Sequence, residues 1–215
     1  SSSGIEMPSY EVFKSKGWFK VKPPSKPVIM MEKFRNDPEN YPLKTPSGKI
    51  EIFSKTIAEF KYDDCPGHPI WLEPQEWLGS KNQQFPIHLI SNQPTTKLHS
   101  QLDHGSHSRL YKIKGREPVR INPIDAKKRG IQNGEIVRLF NKRGSCLAGA
   151  IIDKNIRIGV AQMSTGAWYD PSRKPGNEFM CIHGNPNVFT PDFGTSKLGQ
   201  GPIAHSCLIE IEVYQ

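Results

Sequence analysis

Apolar and polar positions alternate most cleanly in the run C-L-I-E-I-E-V-Y at residues 207–214. Ile209, Ile211 and Val213 fall on one face and Glu210 and Glu212 on the other, the two-residue period of a half-buried strand. The same period, or a short apolar run, marks residues 85–90, 119–121, 135–140 and 146–152 as further strands. Asn122-Pro123 predicts a helix entry, with Asn as cap and Pro in the first turn. Asp125 near its start, Lys127, Lys128 and Arg129 near its end, and Gly130 as the stop complete that helix. Asn133-Gly134 and Lys142-Arg143-Gly144 supply tight turns before and after residues 135–140. Short strands, closely spaced turns and a short helix predict a small closed β-barrel.

Before residue 80 the texture is different, with Lys, Pro and aromatics mixed and little periodicity. Residues 49–53 (K-I-E-I-F) read as a short strand, and Ser54 as the cap of a helix through Phe60 with Ile57 and Phe60 as its apolar pair. So little regular structure over so many residues predicts a segment that wraps another domain. The expected organisation is a loop-rich segment over residues 1–80, packed on an upstream domain, and a barrel over residues 81–215.

Composition supports a turn-rich β chain. The 215 residues include 18 Gly and 19 Pro, above the usual share, and the hydrophobic fraction is 35%. The formal charge of +8 raises three anionic partners: nucleic acid, a membrane surface, or a ligand carrying phosphates. Cys65, Cys146, Cys181 and Cys207 form no C-x-x-C pair, which argues against a structural zinc site or an iron–sulfur cluster. No run approaches the ~20 apolar residues of a membrane span. G-x-x-x-x-G-K-[ST] and G-x-G-x-x-G are both absent, which removes the P-loop and Rossmann sites.

Candidate chemistry gathers in two long non-periodic segments, residues 91–116 and 164–204. The first opens S-N-Q-P-T-T-K-L-H-S-Q-L-D-H-G-S-H-S-R-L-Y and packs amides, hydroxyls, three histidines, Lys97 and Arg109 behind a strand end. Such a loop can hydrogen-bond a ligand rich in heteroatoms while its cations meet phosphate. A metal site at His99, His104 and His107 is an alternative, and polar groups that merely satisfy one another are a third reading. The second segment holds G-A-W-Y-D-P at 166–171, C-I-H-G-N-P-N-V-F-T at 181–190 and D-F-G-T-S-K-L-G-Q-G-P at 192–202. Its glycines permit close approach of backbone to a ligand, and Trp168 and Tyr169 can stack on a flat heterocycle or pack in the core.

Taken in order, S-N-Q-P-T-T-K-L-H-S-Q, G-R-E-P-V-R-I-N-P-I-D-A, G-A-W-Y-D-P, H-G-N-P-N-V and G-T-S-K-L-G-Q-G resemble the C-terminal part of bacterial molybdopterin oxidoreductases. The likeness is to the S- and N-oxide reductases in particular: dimethyl sulfoxide, trimethylamine N-oxide and biotin or methionine sulfoxide reductases. The earlier T-P-S-G-K-I-E-I-F-S and G-H-P-I-W-L-E-P-Q-E-W-L-G look like that family too. The resemblance implies a double-psi six-stranded barrel closing over a bis(molybdopterin guanine dinucleotide) molybdenum cofactor. Carried over by motif, the cofactor-binding residues would be Ser91, Asn92, Gln93, Lys97, His99, Ser100 and Gln101, with His183, Asn185, Asn187, Thr195, Ser196 and Gln200. Gln93 and Lys97 stand where relatives often carry His and Arg.

In the oxide reductases a serine far upstream ligates molybdenum, and nothing here matches that segment. The expectation is therefore the C-terminal cofactor-binding portion of a larger enzyme, with no catalytic or metal-ligating residue of its own and no activity alone. Its expected partners are the upstream domains of the same polypeptide, an S- or N-oxide substrate and a c-type cytochrome electron donor, with no nucleic acid and no membrane span. The expected compartment is the periplasm, with the cytoplasm as the alternative. The competing reading is a free-standing basic barrel that binds nucleic acid or serves as an interaction module.

Overall fold

The computed structural model describes residues 6–22, 25–80, 84–174, 176 and 180–215. Among these residues seven strands form one sheet: β1 Ile87–Ile90, β2 Pro118–Ile121, β3 Ile136–Phe140, β4 Ser145–Ile152, β5 Val160–Met163, β6 Met180–Cys181 and β7 Leu208–Val213. Their order is β2-β5-β1-β7-β3-β4-β6, and a further β2–β4 pairing closes six of them into a barrel with β6 as an appendage. The two parallel contacts in the ring are β1–β5 and β2–β4; the others are antiparallel. β4 is long enough to serve three neighbours. It spans the β3 register, pairs β6 at Ser145 and Cys146, and pairs β2 from Gly149 to Ile152.

The barrel core is built from the inward positions of each strand. Ile87, Leu89, Val119, Ile121, Val137, Leu139, Met163, Ile209 and Ile211 fill it, with Ala148, Ala150 and Ala161 supplying small volumes. Branched residues beside alanines let a narrow barrel fill without overpacking. The alternation at β7 holds: Ile209 and Ile211 are buried and Glu212 is exposed. The short helix Pro123–Lys128 starts as its cap signals predict, with the Asn122 side chain accepting from the Ile124 amide at 2.9 Å. Gly130 follows at φ 66°, which its missing Cβ permits. β5, an unbroken apolar-flanked V-A-Q-M, and the two-residue β6 carry too little period to be read in advance.

By its contacts the chain divides after Phe53. The unit after Phe53 begins with the expected Ser54-capped helix, Lys55–Glu59, whose Ser54 Oγ accepts from the Ile57 amide at 3.3 Å. Glu76 fastens this stretch to the barrel. Its carboxylate accepts from both terminal nitrogens of Arg143, at 2.6 and 2.8 Å, and from the Leu208 amide at 2.9 Å. A paired charge at the β3–β4 turn thus ties this stretch to the barrel, which hydrophobic periodicity could not reveal. Burial alone would raise the Glu76 carboxyl, but the Arg143 and Leu208 hydrogen bonds outweigh it and hold it low. Glu76→Ala should cost about 1–3 kcal/mol in a urea unfolding titration, since the Leu208 amide loses its acceptor and the half-buried Arg143 guanidinium loses its charged partner, keeping the Phe189 carbonyl. Amide exchange should quicken across residues 54–80 before it does in the strands.

The unit before Ser54 holds two short helices, Tyr10–Lys16 and Glu32–Asn36, neither with a buried residue. The first is capped by Ser9 and closed by Gly17 at φ 71°. Tyr10, Trp18, Val28 and Met30 are all more than half exposed. The expected strand at residues 49–53 is irregular, with Ile50 and Ile52 exposed. Its alternation pairs with none of the described strands, and a strand has no stability apart from its ladder.

Candidate functional site

The parallel pair β1–β5 sets the site. Because both strands run the same way, with His88, Leu89 and Ile90 opposite Val160, Ala161 and Gln162, both deliver their following loops to one rim. Asn92 joins the two loops there. Its carbonyl accepts from the Thr165 amide at 2.9 Å, and its side-chain oxygen from Ser164 Oγ at 3.3 Å and from Gln162 Nε2. The first loop then doubles back through a Leu98–Gln101 bridge, with His99 at φ 50° and Leu102 at φ 62°. Gly166, at φ 89°, lies under this bend so closely that a Cβ would collide with the His99 carbonyl. The glycine thus serves loop-to-loop contact rather than approach to a ligand.

Between these loops and the turn at 183–188 lies an open cleft of about 560 Å³. One wall carries His99 and Ser100, the floor Thr165 to Tyr169, and the far wall Asn185 and Asn187. Trp168 and Tyr169 are about half exposed and line the cleft rather than the core, and the Trp168 and His104 rings meet at right angles, 5.0 Å apart. Trp168 is fixed by its indole N–H, which donates to the Ser100 carbonyl at 2.9 Å. Asn185 caps the 3-10 turn Pro186–Val188 by accepting from the Asn187 amide at 2.9 Å, leaving the Asn187 side chain exposed. Among the described residues, the lining includes no carboxylate. Beneath the rim, Ser91 Oγ and Thr165 Oγ1 are buried without a hydrogen-bond partner.

Under the floor is a buried charge network. Lys97 Nζ lies 2.7 Å from Asp103 and 2.9 Å from Glu117, and Lys112 Nζ 2.8 and 3.0 Å from the same two carboxylates. Asp103 also accepts from the Trp168 amide at 3.0 Å and meets His183 Nε2 at 2.8 Å. Burial by itself would raise the Asp103 carboxyl. The hydrogen bonds from Lys112, Lys97, the Trp168 amide and His183 outweigh that and hold it far below the usual carboxylate range.

The motif-derived residues therefore separate into four places. His99, Ser100, Asn185 and Asn187 line the cleft. Ser91, Asn92, Gln93 and Gln101 brace its rim, Gln93 through a 3.0 Å contact with His99 Nδ1 and Gln101 through the backbone bridge. Lys97 and His183 belong to the network below, so the Lys97 ammonium is turned inward, away from any phosphate in the cleft. Thr195, Ser196 and Gln200 form a self-bonded turn elsewhere, where Gly201 donates to Thr195 Oγ1 at 3.1 Å and Gly199 to Ser196 Oγ at 2.8 Å. Lys197 pins that turn to Asp63 at 2.7 Å, and Thr195 lines a different groove with Leu72 and Phe193.

The three-histidine metal alternative does not assemble. His99 meets Gln93, His104 stacks on His183 at 5.0 Å, and His107 meets the Tyr111 ring. Among the described residues, the ligating atoms that do converge are those of Asp103, His104 and His183. Two ammonium groups already neutralise that carboxylate, which leaves little attraction for a cation. Asp103, Lys112 and Glu117 escaped the motif reading. Their signal was the opposite charges five and six residues apart inside one loop, which in sequence looks like a solvated stretch.

Residues 87–208 match the family model described as "Molydopterin dinucleotide binding domain". The chain belongs to this family. Curated relatives of the dinucleotide-binding chain include "Trimethylamine-N-oxide reductase" of Salmonella typhi, 48% identical over 98% of this chain and 25% of that protein. "Biotin sulfoxide reductase" of Cereibacter sphaeroides is 46% identical over 98% of this chain and 28% of its own length. "Dimethyl sulfoxide/trimethylamine N-oxide reductase" of the same organism is 42% identical, with 98% and 26% covered. The chain thus spans about a quarter of the length of the curated relatives it matches. Among solved structures, "Acetylene Hydratase from Pelobacter acetylenicus" superposes with a TM-score of 0.66 at 18% identity, over 83% of this chain and 25% of that one. This last likeness concerns the fold alone. Membership displaces both the nucleic-acid barrel and the ligand-free module.

The cleft suits the family's ligand. A molybdopterin dinucleotide offers flat heterocycles with amide-like edges and a pyrophosphate. Exposed rings at Trp168 and Tyr169 and neutral donors at Ser100, Asn185 and Asn187 match those groups, and among the described residues no lining carboxylate repels the phosphates.

Proposed function

We propose that this chain forms one dinucleotide-binding wall of a molybdenum-dependent S- or N-oxide reductase carrying a bis(molybdopterin guanine dinucleotide) cofactor. The observation that carries the reading is the carboxylate-free cleft at the parallel β1–β5 rim, with two half-exposed aromatic rings and facing amides. The chemistry supplied by the bound cofactor would be removal of an oxygen atom from the oxide, and the protein's share is position and electrostatics. Asn185 and Asn187 would meet heterocycle edges, His99 and Ser100 the polar linker, and Trp168 and Tyr169 a ring face. With about three quarters of its relatives' length unmatched, the chain would supply no metal ligand. The residues before 81 would pack on a neighbouring domain of the same polypeptide, as the exposed Tyr10, Trp18, Val28 and Met30 favour. A c-type cytochrome in the periplasm is the electron donor proposed.

The test is Asn187→Ala in the holoenzyme. Loss of one contact of about 1.4 kcal/mol weakens cofactor retention roughly tenfold. Molybdenum content after gel filtration should therefore fall while KM for the oxide in the remaining holo fraction stays unchanged. A raised KM with full molybdenum would move Asn187 into a substrate pocket and overturn the assignment.

A further inference from the structure

Among the described residues, Asp103 is the most buried charge. Its side chain is 0% exposed, and its oxygens collect four donors from three stretches of chain. Lys97 Nζ at 2.7 Å closes the loop that carries His99 and Ser100. The Trp168 amide at 3.0 Å holds the cleft floor, and His183 Nε2 at 2.8 Å holds the strand exit that leads to Asn185 and Asn187. Lys112 Nζ, at 2.8 Å, completes the set. Each wall of the cleft therefore hangs from one carboxylate. Glu117 brings the network to two ammonium groups and two carboxylates, none of the four side chains more than 7% exposed. Its amide also donates to the His183 carbonyl at 3.0 Å, and Gly184 sits too close to Glu117 for any Cβ.

We infer that Asp103 is the positioning residue of the cleft, setting the spacing of its walls so that they meet a nucleotide without reorganising. This rests on the dinucleotide reading above. A neutral, satisfied network has no charge left for phosphate, so Lys97 and Lys112 act through the frame. Preorganised walls spare the ligand the ordering cost of three loops, which otherwise subtracts directly from affinity. The feature that matters is the acceptor oxygen at position 103. Charge balance in the pocket is a separate requirement.

Two charge-balanced double variants separate those requirements: Asp103→Asn with Lys112→Met, and Asp103→Leu with Lys112→Met. Both keep the branched heavy-atom shape at position 103 and leave Lys97 paired with Glu117, and neutral replacements of buried ion pairs are commonly tolerated. The probe is guanosine diphosphate, titrated into the 215-residue chain and followed by amide and indole NMR shifts, with thermal melts to confirm folding. The Asn variant, which keeps an acceptor, should bind within threefold of the unmodified chain. The Leu variant should bind at least tenfold more weakly, with the Trp168 amide losing its exchange protection. Equal affinity in two folded variants overturns the inference, as does failure of the Asn variant to bind although folded. If the Leu variant does not fold, the Asn variant decides alone by the same threefold limit. Asn187→Ala distinguishes the levels: weakened binding there with no difference between the double variants sinks the positioning role only. No binding to the unmodified chain, or none lost in Asn187→Ala, sinks the cleft reading and this inference together.

Discussion

Replacing Asp103 alone with alanine is expected to lower the unfolding free energy by about 3–5 kcal/mol, because it strands Lys97 and Lys112 around a single carboxylate in a buried site. Both ammonium groups lie within 3.0 Å of Asp103 and Glu117, and their side chains are at most 5% exposed. A water entering the space left behind would replace only part of the lost carboxylate, so much of the desolvation already incurred by two cations goes uncompensated. Urea unfolding at neutral pH measures the loss, with Arg138→Ala as a comparison, since its bond to Glu212 is exposed and should contribute little. The pH dependence has a definite sign. Folded Asp103 stays ionised where the unfolded chain, with an ordinary value of 3.8, takes up a proton. Its contribution is full above that value and is lost as the pH falls below it toward the depressed folded value. Stability of the unmodified chain should decline steeply below pH 3.8, and the alanine variant should show a shallower acid slope. Parallel acid profiles would mean that Asp103 is not ionised in the fold.

What the sequence made legible followed from how local each signal was. β7 and the Asn122-Pro123 helix entry are written in neighbouring residues, through a two-residue period and a cap, and both stand where expected. The barrel followed from strand count and turn spacing. β5 did not, because four residues whose burial depends on β1 and β2 beside them carry no pattern alone. The strand expected at residues 49–53 failed for the converse reason: it had the pattern and lacked the ladder. At the site, motif order delivered the cleft-lining His99, Ser100, Asn185 and Asn187. A motif does not say which side chains are buried, and Lys97 and His183 lie in the charge network below the cleft. Motif order also grouped Thr195, Ser196 and Gln200 with residues from which the fold separates them. Linear proximity to a conspicuous loop is weak evidence of a shared surface. The inward turn of Lys97 depends on Glu117, 20 residues on, and no local rule reads that distance.

Gly166→Ala should be the most damaging change that alters no polar group. The residue sits at φ 89°, outside the region an alanine adopts at ease, and the added methyl would fall on the carbonyl of His99. Strain of that kind costs about 1–3 kcal/mol, and forcing atoms into a packed contact about 1–3 more, so a loss of about 2–6 kcal/mol is expected. The clash is with backbone, so no flexible side chain can swing away. Relief requires the His99–Ser100 bend to lift off the floor, which also breaks the bond from the Trp168 indole to the Ser100 carbonyl. Any chain that still folds should therefore have a wider cleft and bind guanosine diphosphate at least tenfold more weakly, as two lost contacts of about 1 kcal/mol imply. Gly115→Ala supplies the comparison, because that glycine has φ 78° and nothing within 4 Å of a built Cβ. It should show the backbone strain alone, with nucleotide binding intact. If both substitutions cost the same and leave binding unchanged, Gly166 does not seat the first loop, and the wall carrying His99 and Ser100 is held by something else.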